Sequence, residues 1–211
     1  MQAARQDERL SRSNEASLVG GVPNFPGIMA AMMISPALAV PLRSLADFLL
    51  VSSYPESTIS RSEREILATA VSAGNDCFYC MDSHAAFAEA LLAQDGCDAE
   101  NSRDLADRVK LGDFSALSNK IQSLARVACL VREGGRQLTP EAVAAARDAG
   151  ASDADIQLAV MISAAFCMYN RIVDGFRAQT PSDPSAFAER ARQIAAYGYS
   201  DRRITAVPDA A

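Results

Sequence analysis

At 211 residues and a formal net charge of −6, the chain is long enough to close one hydrophobic core between flexible ends. It is too acidic, and carries no basic stripe, for tracking a nucleic-acid backbone. Five cysteines, an odd number in a chain this long, do not read as a secreted disulfide framework, and residues 1–20 are too polar and mixed in charge for a secretory signal, so the expected location is the cytoplasm.

Alanine is abundant, apolar residues recur at intervals of three and four, and alternating β-branched runs are missing. The expected fold class is therefore all-α. Residues 1–22 read as a polar N-terminal arm and 23–197 as one helical domain. Residues 24–52 hold a short helix, a break at Pro36, and a longer helix through Leu42, Leu45, Leu49 and Leu50. The apolar stretch from Gly27 to Val40 is interrupted by Pro36 and falls short of the roughly 20 residues that span a bilayer, so it reads as core rather than membrane. Met29, Met32 and Met33 read as core or subunit contact.

After a turn at Tyr54-Pro55-Glu56, Ser60 and Glu63 have the spacing of a capping box and start a helix to about Gly74. Gly74-Asn75-Asp76 reads as a stop and restart, with Asp76 as N-cap of a helix from Cys77 to about Ala93. Gly96 to Ser102 reads as a loop, Arg103–Lys110 as a short polar helix, and Ser115 to Val131 as a longer one. Thr139-Pro140-Glu141 marks a helix start. Ser152 to Asp155 opens the last major core helix, through Ile156, Val160, Ile162, Phe166 and Ile172. A further helix follows Pro181 and Pro184, and residues 198–211 read as a C-terminal tail.

The run Cys77-Phe78-Tyr79-Cys80-Met81-Asp82-Ser83-His84 carries chemistry. On a helix, residues three and four apart are stacked neighbours, so Cys77, Cys80 and the chain's single histidine, His84, fall on one stripe. Paired thiols beside a proton carrier suit reversible cysteine redox chemistry: one thiolate attacks and becomes a sulfenic acid, and its neighbour resolves it. Cysteines three apart on a helix also lie within disulfide reach. The pair is equally half of a zinc site, but Cys97, Cys129 and Cys167 have no paired spacing to supply the other half. Met81 breaks the haem-attachment pattern, and no βαβ setting supports a thioredoxin motif. Cys129 and Cys167 lie among apolar helical residues and read as inert. Glu65, twelve residues before Cys77, lies opposite the apolar face of its helix, with Ala68, Thr69 and Ser72. It reads either as a solvated glutamate or, because that face is small, as a carboxylate packed inside that holds the His84 ring.

From Glu65 to His84 the sequence resembles the core of the AhpD-like alkylhydroperoxidases of the carboxymuconolactone decarboxylase superfamily, most closely their peroxidase-related branch. The likeness spans about Ser60 to Phe87, within a core of 60–94, and continues weakly from Ala165 to Gly175. It implies an AhpD-like helical fold assembled as trimers or hexamers, and a peroxidase acting on organic hydroperoxides without metal or other cofactor. On that likeness Cys80 becomes the sulfenic acid, Cys77 resolves it, and Glu65 and His84 relay protons. It also implies a dithiol reductant, a lipoylated protein in the best-known members. Those members carry a second histidine between the cysteines, where this chain has Tyr79, a residue that reads mainly as a packing aromatic. The rival expectation is a thiol redox sensor or an oligomeric binding protein of the same fold; a decarboxylase or a structural zinc module fits less of the pattern.

Overall fold

The amphipathic pattern becomes helix after helix in the computed structural model, which describes residues 16–200. Among these, nine α-helices follow in order: α1 Ile28–Ile34, α2 Pro36–Leu50, α3 Arg61–Gly74, α4 Phe78–Gln94, α5 Ala99–Lys110, α6 Asn119–Glu133, α7 Pro140–Asp148, α8 Asp153–Gly175 and α9 Ala188–Tyr197. The fold is all-α; the described residues form no strand, only an isolated bridge between Pro26 and Gln179. The outer parts of the arm and the tail, 1–15 and 201–211, lie outside the described residues.

Helix α3 is the centre. It packs along α4, α8 and α6, and every residue from Arg64 to Ala73 is buried. Its start follows the capping box read from the sequence: the Ser60 hydroxyl accepts from the Glu63 amide, and the Glu63 carboxylate accepts from the Ser60 amide. Helix α8 is long and apolar enough by composition to cross a bilayer, but here it lies in the bundle with its polar residues Asp155, Ser163 and Asn170 buried. The Ser163 hydroxyl donates to the Ala128 carbonyl at 2.6 Å, tying α8 to α6.

Four boundaries differ from the sequence expectation, each for a local reason. Asp76 is not the N-cap: it takes a left-handed turn (φ 54°), a conformation Asp tolerates better than most residues, and Cys77 becomes the cap of α4. Helix α5 starts at Ala99 rather than Arg103, because the Asp98 carboxylate accepts from the Asn101 amide. Helix α6 starts at Asn119 rather than Ser115: the Asp113 carboxylate accepts from both the amide and the hydroxyl of Ser115, holding a turn until Ser118 caps the helix. Residues 198–200, read as tail, pack on the core. Gly198 turns with φ 76°, and the Asp47 carboxylate accepts from the amides of Tyr199 and Ser200.

Asp155 fastens the approach to α3. Fully buried, it accepts from the Ser57 hydroxyl and the Thr58 amide, both at 2.8 Å, and from the Ser152 amide at 3.1 Å. Burial alone would raise its pKa, but these hydrogen bonds, with Lys120 nearby, leave it below the usual carboxylate value. A depressed folded pKa contributes stability that is present above the unfolded pKa of about 3.9 and lost as pH falls through the lower folded value. Asp155→Ala should therefore lower unfolding stability by about 2–4 kcal/mol at pH 7, with a smaller loss near pH 3, as measured by urea denaturation at the two pH values.

Candidate active site

Helices α3 and α4 form a tight antiparallel hairpin: Glu65 meets His84 near its middle, and the Ser62 hydroxyl donates to Asp95 at its open end. The turn joining them is pinned from two sides. Asn75 donates its side-chain amide to Asn170 Oδ1 of α8 at 2.8 Å, Asn170 donates to the Ser72 hydroxyl at 3.1 Å, and Arg132 of α6 donates to the Gly74 carbonyl. The turn therefore fixes where α4 begins, with Cys77 at its N-cap and Cys80 at its third residue. Both sulfurs therefore sit at the N-terminal end of α4.

Glu65 is 1% exposed and takes one donor on each carboxylate oxygen. The Tyr199 hydroxyl donates to Oε1 at 2.6 Å, and His84 Nδ1 lies 2.6 Å from Oε2. With Glu65 as acceptor, His84 carries its proton on Nδ1 and keeps Nε2 as a free base. The ring is wedged as well as bonded: Phe166 and Phe87 meet it edge-on at 4.6 and 5.1 Å, and Tyr199 stacks at 6.1 Å. Burial first, then the charge and hydrogen bond of Glu65, push the Tyr199 phenol well above its usual pKa, so it stays a donor.

Cys77 and Cys80 are free thiols, both buried, that pack together against Val173. A hydrogen bond to the Cys80 sulfur, then burial, push the Cys77 thiol up, so Cys77 holds its proton and Cys80 accepts. The two differ in access. Cys80, with His84, lines a small cavity of about 70 Å³; Cys77, 0% exposed, does not. The other walls include Met29, Met32 and Phe166, together with Arg43 and Arg190. Of the methionines expected in the core or at a subunit contact, Met29 and Met32 pack with the core and line this cavity, while Met33 is exposed.

All four candidate residues, Glu65, Cys77, Cys80 and His84, come together on one helix hairpin. Tyr79 packs as expected, edge-on to Phe187 at 5.5 Å, and burial, with the nearby thiols a lesser cause, pushes its phenol up to about 12. Its ring lies so close to Gly27 that a β-carbon there would sit 1.9 Å from it. Tyr199 is the member that sequence reading missed. Its only local signal is the Gly198 turn after α9; its position depends on Asp47 and on Arg61, whose guanidinium donates to the Ala195 and Ile194 carbonyls at the end of α9. Among the described residues no group of three or more His, Cys, Asp or Glu is placed to hold a metal ion.

Residues 42–105, which contain all four candidate residues, match the family model of the carboxymuconolactone decarboxylase family. Two solved structures share the fold. An uncharacterized peroxidase-related protein from Silicibacter sp. TM1040 is 20% identical with a TM-score of 0.65, the match covering 79% of this chain and 81% of that one. An uncharacterized peroxidase-related protein from Ralstonia eutropha JMP134, described as an alkylhydroperoxidase AhpD core, is also 20% identical with a TM-score of 0.65, covering 90% of each chain. No curated protein matches the chain. Over residues 42–105 the chain is thus similar to the carboxymuconolactone decarboxylase family, and its fold is that of the two peroxidase-related structures.

Removing the Tyr199 hydroxyl leaves Glu65 Oε1 buried without that donor. Tyr199→Phe should lower the unfolding free energy by about 1–3 kcal/mol in chemical denaturation. With one imidazole in the chain, nitrogen NMR reads its tautomer without ambiguity, and the proton should be on Nδ1 in the unmodified protein.

Proposed function

We propose that the protein is a thiol peroxidase that reduces organic hydroperoxides through Cys80, with Cys77 as resolving thiol and Glu65 and His84 as proton relay. The observation that carries this reading is the unequal access of the two sulfurs: Cys80 faces the cavity that also receives His84, and Cys77 lies behind it. The family match over the same residues supports it.

The chemistry balances in three steps. His84 Nε2 takes the Cys80 proton, and the thiolate attacks the terminal oxygen of the hydroperoxide. The O–O bond breaks, the alcohol leaves with the proton returned by His84, and Cys80 becomes a sulfenic acid. Cys77 then gives up its proton and attacks the Cys80 sulfur, forming the disulfide and releasing water. Finally, an external dithiol, such as a lipoyl group on a partner protein, reduces the disulfide and is itself oxidised to a disulfide. Two electrons leave the cysteine pair for each O–O bond broken, and two return from the reductant.

The high pKa of Cys77 fits the resolving role, because a thiol that holds its proton does not compete with Cys80 for peroxide. Glu65 acts through His84, fixing which nitrogen carries the proton, in the manner of the acidic member of a hydrolase triad. A homo-oligomer, trimeric or hexameric, is part of the reading. It is supported by Met33, Ile34, Leu38, Val40 and Phe48, exposed apolar residues on α1 and α2 that suit a subunit contact. A cytoplasmic location completes it, in keeping with five free cysteines.

Peptide mass spectrometry after one equivalent of hydroperoxide should find a Cys77–Cys80 disulfide. Cys77→Ser should stop at a Cys80 sulfenic acid that dimedone traps, and Cys80→Ser should form neither product. With an excess dithiol reductant the unmodified protein should turn over repeatedly; a single oxidation without turnover would instead identify a redox sensor.

A further inference from the structure

Tyr199 touches both members of the relay, which a purely structural tie between helices does not require. Its hydroxyl donates to Glu65 Oε1 at 2.6 Å and lies 3.4 Å from His84 Nδ1. Its ring stacks on the imidazole with 21° between the planes. Several groups bring it there. Gly198 turns at φ 76°, where a β-carbon would meet Asp47 Oδ1 at 2.8 Å. The Asp47 carboxylate accepts from the amides of Tyr199 and Ser200, and Arg61 donates to the Ile194 and Ala195 carbonyls of α9.

The two charge states of the Glu65–His84 pair respond differently to that phenol. With His84 neutral, the buried carboxylate is offset by hydrogen bonds alone. With His84 protonated on Nε2 as well, an imidazolium stands 2.6 Å from it and neutralises it. A hydroxyl donating to Oε1 therefore stabilises the first state more than the second. The other titratable or charged groups lining the cavity with His84 are Tyr79 and Cys80 of its own helix, Tyr169 of α8, Arg43 of α2 and Arg190 of α9. Tyr169 is engaged elsewhere, donating to the Leu42 carbonyl at 2.7 Å. The two guanidinium groups disfavour a further positive charge on the ring and so act in the same direction as Tyr199.

We infer that Tyr199 is a positioning residue of the relay: acting through Glu65, its phenol keeps the His84 imidazole neutral, and so available as the base, to lower pH. The base role of His84 comes from the peroxidase reading, on which this inference rests and which it deepens by naming the group that sets the working pH. Tyr199 suits the task because burial, then Glu65, push its own phenol well up, so it keeps the proton it donates.

Two measurements test the inference, one of them without peroxide. In the first, nitrogen NMR follows the chain's single imidazole against pH in a Cys80→Ser background, where no Cys80 thiolate shares its proton. Tyr199→Phe in that background should move the midpoint of imidazolium formation up by about one pH unit, as expected when a hydrogen bond to the anionic state is lost. Site-specific 3-fluorotyrosine at position 199, a stronger donor of nearly the same shape, should move it down. Both replacements keep the stacked ring, so a role confined to packing would move neither midpoint. In the second, Cys80 oxidation by a single addition of cumene hydroperoxide is followed against pH. Tyr199→Phe should shift the acid side of the rate profile up by the same amount, making oxidation about tenfold slower below the midpoint, with the rate at high pH little changed.

Midpoints left unmoved by both replacements, in proteins folded by circular dichroism, overturn the inference and leave the peroxidase reading standing if Cys80 is oxidised. A downward shift in Tyr199→Phe overturns it as well. Should Tyr199→Phe fail to fold, the fluorotyrosine protein decides alone. If the imidazole midpoints move as expected while Cys80 resists oxidation at every pH, the role of Tyr199 is upheld and the peroxidase reading falls.

Discussion

A carboxylate removed almost completely from water is among the costliest groups a small helical domain can hold, and Glu65 is such a group. It is tolerable because each oxygen has its own short hydrogen bond, one from a phenol and one from an imidazole. That arrangement does more than offset desolvation. It joins three separate parts of the chain: the second turn of α3, the second turn of α4 and the segment after α9. It also fixes the protonation pattern of the chain's single histidine. Without the carboxylate, His84 would be one more ring among Phe87, Phe166 and Tyr199, with no defined tautomer.

The remaining architecture can be understood as support for that junction. The pinned turn at Gly74–Asp76 sets where α4 starts, and so puts Cys77 at the cap and Cys80 one turn further in. The same helix then carries His84 one turn beyond Cys80, facing the cavity that Cys80 also lines. Asp155 and Ser60 hold the entrance to α3, while Arg61 and Asp47 hold the exit from α9. Each is a charged or polar side chain spending its hydrogen bonds on backbone groups at a helix end, where unsatisfied donors and acceptors are concentrated. The site is therefore rigid because the helix ends around it are tied.

Much of this was legible in the sequence. The helix periodicity, the capping box at Ser60–Glu63, the break at Pro36 and the Cys77–Cys80–His84 stripe all depend on residues close in the chain, and local spacing reports them directly. Glu65 was legible as a choice: its helical face pointed to a second packed side, but burial is a property of what packs there, which one helix does not reveal. Tyr199 was not legible. It lies 134 residues from its partner Glu65, after a glycine turn that reads like the start of a tail. The misplaced caps have the same origin. Asp76 looks like a cap in sequence, but the backbone there turns left-handed and passes the role to Cys77.

The central claim is that the buried carboxylate makes His84 an effective base for Cys80. Stopped-flow measurement of Cys80 oxidation under a single addition of hydroperoxide, with no reductant present, tests it without depending on the reducing partner or on disulfide turnover. Glu65→Gln retains an acceptor and the approximate shape but loses the charge and can present an N–H to the ring. Oxidation should slow by about a hundredfold, in line with loss of general-base assistance, while the folded state persists by circular dichroism. An unchanged rate in a folded Glu65→Gln protein would contradict the claim.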